Sequence, residues 1–149
     1  MTHDVRIRLA TVEDLEAIVQ LLQRDAFTAP VEGSGDYGGA FEDIARHPDN
    51  ELVVAVLGED VVGTLQLTFI PGMGHGGGWR AQVEGVRVRE DLRNLRIGTR
   101  LMEWVVARAR ERGCRLVQLT TQVARKDAQR FYGRLGFQAS HVGMKLRLD

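Results

Sequence analysis

Two groups of residues in this chain have types and spacings that could do chemistry: Glu84 to Thr99, and the neighbourhood of Tyr132. In Arg93-Asn94-Leu95-Arg96-Ile97-Gly98-Thr99 two guanidinium groups stand where a polar turn gives way to an apolar helical pattern. A helix N-terminus presents amide donors without intrahelical partners and the positive end of the backbone dipole, so such a turn binds an anion. Arg93 and Arg96 add formal charge at the same point, and a diphosphate is the natural guest. Upstream, Glu84 offers a carboxylate able to accept a proton. Tyr132 offers a phenol that keeps its proton at neutral pH yet can donate it where negative charge develops.

The elements that must position these groups can be read from periodicity. Val83, Val86 and Val88 predict a strand, with Gly85 interrupting the alternation as a bulge would. From Ile97 the spacing changes: Ile97, Leu101, Trp104, Val105 and Ala109 recur at three and four, which predicts a helix from Gly98 to about Arg112. Ala128, Phe131, Tyr132 and Leu135 share one side of a short helix, Gly136 suits its C-terminal cap, and Phe137 opens a further strand. Neither G-x-x-x-x-G-K-[ST] nor a strand-to-helix G-x-G-x-x-G occurs in the turn.

The turn beginning at Arg93 resembles the pyrophosphate-binding Q/R-x-x-G-x-G/A segment of the GNAT N-acetyltransferase superfamily, with Arg93, Ile97 and Gly98 in place. Arg96 stands where the family prefers glycine, and Asn94 where many members have another. Asp127-Ala128-Gln129-Arg130-Phe131-Tyr132-Gly133-Arg134-Leu135-Gly136-Phe137 matches the family's A-x-x-F-Y-x-x-L-G-F segment at each fixed position. The resemblance spans nearly the whole chain. It implies an α/β fold: a single domain over residues 1–149, with a mixed central sheet of six or seven strands and helices on both faces.

Composition sets limits of its own. At 149 residues the chain is one domain of ordinary size. Lysine plus arginine equals aspartate plus glutamate at 20 each, which argues for neither a nucleic-acid nor a membrane partner. The lone Cys114 fits a reducing cytoplasm, the N-terminus lacks an apolar signal core, and no run reaches membrane-spanning length. No set of His, Cys, Asp or Glu has metal-ligand spacing, so no metal is expected.

Along the chain, Val5 to Leu9 alternates as a first strand, and Thr11 caps a helix with Asp14 completing a capping box. Leu15, Ile18, Val19 and Leu22 form that helix's buried face. Ala26 to Asp49 is weaker. Its Ala40–Ala45 portion is a short helix ended by Pro48, and Glu32, Asp36, Glu42 and Asp43 make it acidic, which suits either a cationic amine or a solvated loop. Leu52–Leu57 and Val61–Ile70 predict a hairpin whose turn is not of the tightest type, with Gly58 at positive φ. Pro71 to Arg80, with five glycines, predicts a mobile loop carrying His75 and Trp79. Arg115 to Thr120 is a strand beside the central one, and Val142 to Leu148 closes the sheet.

The resemblance implies acetyl-CoA as cofactor and acyl transfer to an amine. The backbone around Val86 and Val88 would pair with the cofactor's pantetheine arm, and Arg93 to Thr99 would hold its diphosphate. Tyr132 would contact and protonate the coenzyme sulfur. Arg125, where many members carry asparagine, would reach phosphate. Glu84, expected partly buried and on one face with Val86 and Val88 unless a bulge intervenes, is the candidate general base, acting through water. The expected acceptor is the primary amine of a small molecule. The rival expectations are an idle acyl-CoA-binding sensor and an acetyltransferase of protein lysines or N-termini. The resemblance allows for a homodimer.

Overall fold

A computed structural model describes residues 4–25 and 35–149. The chain divides into two compact units, Met1–Gln118 and Leu119–Asp149.

The first unit is built on a sheet. Five strands run in the order β1 (Val5–Leu9), β2 (Asn50–Leu57), β3 (Asp60–Pro71), β4 (Trp79–Val88) and β5 (Cys114–Leu119). The first four pair antiparallel as successive neighbours. β4 and β5 are joined through the helix α3 (Ile97–Glu111), the kind of crossover that parallel neighbours require. The β2–β3 connection is tighter than the sequence suggests. Leu57 pairs with Asp60 across the two residues Gly58 and Glu59, with Gly58 at φ 64°, so glycine at the first central position closes the hairpin.

Each face of the sheet carries a helix because β2 and β3 are apolar on both sides. α1 (Leu15–Arg24) lays Ile18 against Val54 and Val56, with Leu22 and Leu52 at the margin. Leu21, outside the predicted stripe, is buried as well. On the opposite face α3 buries Ile97, Leu101, Met102, Val105 and Ala109, and a Cβ at Gly63 would meet Leu101 at 3.2 Å. α3 is also tied to the sheet by charge. Arg108 grips the buried Glu51 of β2 at 2.6 and 2.9 Å, and Arg112 lies 4.1 Å over the Phe69 ring. The hydrogen bonds to Glu51 hold the Arg108 guanidinium firmly protonated.

The capping box expected at Thr11 is present. The Thr11 amide donates to the Asp14 carboxylate at 2.7 Å, which Arg8 also holds in a two-pronged contact. The second helix, α2 (Tyr37–Arg46), begins earlier than the sequence suggests because Asp36 caps it through the Gly39 amide. Asp36 is thus a cap and Asp43 an ion-pair partner of Arg46, whereas Glu32 lies outside the described residues. The glycine-rich connection is a left-handed turn: His75, Gly76 and Gly77 have φ of 52°, 68° and 78°.

The second unit contains α4 (Lys126–Arg134) and the segment that follows it. Here the expected strand count fails. Among the described residues the sheet has five strands, not six or seven, because the residues from Gln138 onward form no ladder. Val142, Met144, Leu146 and Leu148 keep the alternation of a strand yet are 87–94% exposed.

Candidate active site

In the first unit the central feature is the bulge in β4. Gln66 pairs with Glu84 and Thr64 with Arg87, so Gly85 and Val86 together oppose the single residue Leu65. Gly85 takes φ 63°, the left-handed conformation that such a bulge demands and that glycine adopts without strain. The bulge was legible in the broken alternation. Its effect on Glu84 is a correction. The extra residue switches the phase of the pleat, so Glu84 falls on a face with Gln82 and Arg87, away from Val86 and Val88. Glu84 is exposed rather than partly buried, whereas Val86 and Val88 are half-buried.

Two contacts that the sequence reading missed frame this bulge. Arg87 reaches Asp25, just past the end of α1, at 2.9 Å, and both side chains are largely shielded from water. It also donates to the Val86 carbonyl at 2.8 Å. The pair pins the end of α1 to the strand beside the bulge. Gln118 of β5 donates to Gln82 of β4 at 2.6 Å, clamping those two strands one pleat before Glu84. Neither was foreseeable, because each pair is formed by residues far apart in sequence with no fixed spacing.

β4 hands the chain directly to the turn. The Arg89 amide bonds the Val62 carbonyl, Glu90 to Leu95 coil into a short 3₁₀ segment, and Arg96 takes φ 59°, ψ 27° as the N-cap of α3. Arg89 pairs with Asp91 and holds that carboxyl below its usual range. Arg96 thus occupies the left-handed conformation for which glycine is the usual residue. Ile97 is buried, Gly98 and Thr99 are half-buried at the first turn, and Arg93, Asn94 and Arg96 are exposed while Leu95 is half-buried. Among the described residues neither Arg93 nor Arg96 is shown in an ion pair. A helix start with unpaired amides, a glycine in the first turn and two uncommitted guanidinium groups fits a diphosphate.

The second unit places the other two predicted residues on one helix. Arg125 is the N-cap of α4, and Tyr132 lies in its last turn, half-buried. The helix ends in a Schellman motif: the Gly136 amide bonds the Gly133 carbonyl at 3.1 Å and the Phe137 amide bonds the Tyr132 carbonyl at 3.0 Å. Gly136 sits at φ 100°, which requires glycine. This cap brings Phe137 edge-on to the Tyr132 ring, with centroids 5.7 Å apart, and Phe131 packs against the same ring edge-on at 5.1 Å. The phenol ring is therefore held by edge contacts with two neighbouring rings. Cys114 is half-buried, its thiol pushed up by burial, and among the described residues no cluster of His, Cys, Asp and Glu could hold a metal ion.

Comparison with known proteins agrees with this geometry. Residues 15–137 match the Acetyltransferase (GNAT) family. An aminoalkylphosphonate N-acetyltransferase of Salmonella typhimurium is 28% identical over 138 residues, covering 91% of this chain and 86% of the relative. A Bacillus halodurans protein described as a transcriptional regulator is 45% identical. Its crystal structure superposes with a TM-score of 0.94 over 97% of this chain and 100% of that one. The crystal structure of a predicted acetyltransferase from Clostridium acetobutylicum with acetyl-CoA, 19% identical, superposes at 0.77 over 97% of each chain and shares the fold. The chain belongs to the GNAT family of acetyltransferases, enzymes that draw their acetyl group from acetyl-CoA.

Proposed function

We propose that this protein transfers the acetyl group of acetyl-CoA to the primary amine of a small molecule, by direct attack of the amine in a ternary complex. The observation that carries this most is the turn from Arg93 to Thr99, with a left-handed residue and two guanidinium groups that are in no ion pair among the described residues, at the start of α3. The whole chain acts as one domain in this proposal, as a homodimer and in the cytoplasm, where a single cysteine suits the reducing environment.

Acetyl-CoA supplies an activated thioester. Arg93, Arg96 and the first-turn amides of α3 hold its diphosphate, and Arg125 adds a further phosphate contact. The backbone at Val86 and Val88 aligns the pantetheine arm, and an N–H there stabilises charge developing on the carbonyl oxygen. Glu84 accepts the ammonium proton through water, and its exposure gives water the access that such a relay needs. Tyr132, held by Phe131 and Phe137, gives its proton to the departing sulfur. The name of the Salmonella relative makes aminoalkylphosphonates the first acceptors to try.

The test is thiol release from acetyl-CoA with a panel of small amines led by aminoalkylphosphonates. Tyr132→Phe is expected to lower turnover by roughly a hundredfold or more while leaving KM for acetyl-CoA nearly unchanged. Full turnover in that variant removes the acid role. Silence with every amine despite tight acetyl-CoA binding would favour a second reading, a binding domain with a regulatory role, for which the 45% identical protein described as a transcriptional regulator speaks.

A further inference from the structure

We infer that a floor of neutral hydrogen-bonding side chains, Gln66, Thr68, Gln82 and Gln118, selects the acceptor, and that the acceptor is an amine carrying hydroxyl groups on the carbons beside its nitrogen rather than an alkyl or aryl amine. This selection builds on the acetyl transfer proposed above, with Glu84 receiving the ammonium proton. The register places the floor. Residues opposite one another in an antiparallel pair share a face, and Gln66 stands opposite Glu84 and Thr68 opposite Gln82. Leu52 stands opposite Gln66 and Val54 opposite Thr64, so the same face continues onto β2. There it is apolar and covered by α1, where Ile18 lies on Val54 with Leu22 and Leu52 beside them. From β3 to β5 the face turns polar. Gln66, Thr68, Gln82 and Gln118 are all half-buried, neither sealed in the core nor fully open to water.

The chemistry of this floor sets it apart from an ordinary solvated face. Surfaces that meet only water are rich in charged side chains, whereas the groups around Glu84 are amides and a hydroxyl. The two arginines of the same face are turned elsewhere. Arg87 is paired with Asp25, and Arg80 lays its guanidinium on Gly72, where a Cβ would meet Nη1 at 2.9 Å. Gln82 is fixed in orientation, because its Oε1 accepts from Nε2 of Gln118 at 2.6 Å. That bond leaves the Gln118 carbonyl oxygen and its second N–H for a ligand. Among the described residues the Gln66 amide and the Thr68 hydroxyl are shown in no hydrogen bond. Gln66 lies about 5 Å across the pair from Glu84, and Gln82 about 7 Å along the strand from it. Side chains of that length reach oxygens one or two bonds from an amine held at Glu84. A hydroxyl there satisfies donors and acceptors that an alkyl chain would cover and leave unpaired, which is how polar sites reject apolar isosteres.

Calorimetric titration of serinol, and of isopropylamine as the same skeleton without hydroxyls, into the protein saturated with CoA tests this with no acetyl group to transfer. Serinol is expected to bind roughly tenfold more tightly or better. Gln82→Leu should abolish that preference with the affinity for acetyl-CoA retained. Gln66→Leu, which leaves the bond between β4 and β5 intact, should reduce it. Equal binding of the two amines, no binding of serinol, or a preference unchanged in both variants would overturn the selection. Thiol release from acetyl-CoA separates it from the transferase reading. Release with serinol and isopropylamine at equal kcat/KM overturns the selection alone. No release with any amine, while serinol keeps its Gln82-dependent binding, removes the transfer and supports the selection.

Discussion

Arg96 is held in a conformation that costs an arginine about 1–2 kcal/mol and a glycine almost nothing. A residue kept there at that cost is expected to return something, and its exposed side chain at the start of α3 is placed to meet a phosphate. Arg96→Gly should therefore stabilise the fold by about 1 kcal/mol, roughly 2–4 °C in Tm, while weakening acetyl-CoA binding. Thermal unfolding with and without cofactor checks both halves. An unchanged Tm would remove the strain, and unchanged binding would leave the side chain without a role. The departure from glycine was legible in the sequence. The left-handed φ was not, because it depends on how the 3₁₀ segment enters the helix.

At the scale of elements, the capping box ahead of α1 makes a pH-dependent contribution. Hydrogen bonds from Arg8 hold the Asp14 carboxyl below its usual range, helped by the Thr11 amide and opposed by burial. A depressed carboxyl stabilises the fold above its unfolded value of about 3.9, and that stability is lost as pH falls through the folded value. Asp14→Ala should cost about 1–2 kcal/mol at pH 7, with the difference from the parent shrinking from about pH 4 downward. Urea unfolding at pH 7 and at pH 3 measures it, and an equal difference at both would contradict the assignment. Local patterns of this kind read well from sequence, since Thr11 and Asp14 or Gly136 and Phe137 are near neighbours whose types fix their geometry. What failed at this scale was phase. Gly85 marked the bulge, but only the pairing with β3 shows that Glu84 is thereby separated in face from Val86 and Val88.

For the whole molecule, strand–helix alternation and two motifs were enough to indicate the fold family, and the five strands among the described residues lie in chain order across the sheet. The missing strand exposes the limit of reading one chain. Alternation in Val142–Leu148 predicts a strand, but it does not say which element such a strand would pair with, and its apolar side chains are exposed. Long-range pairs such as Arg87–Asp25 and Gln82–Gln118 were unreadable for a related reason, since only the assembled sheet brings them together. The claim on which the rest depends is that the turn at the head of α3 binds acetyl-CoA. Calorimetric titration of the protein and of its Arg93→Ala and Arg96→Ala variants with acetyl-CoA tests it most directly. Binding by the parent protein that each substitution weakens by about 1–3 kcal/mol is the predicted result. No binding by the parent protein, or affinity indifferent to both substitutions, would contradict it.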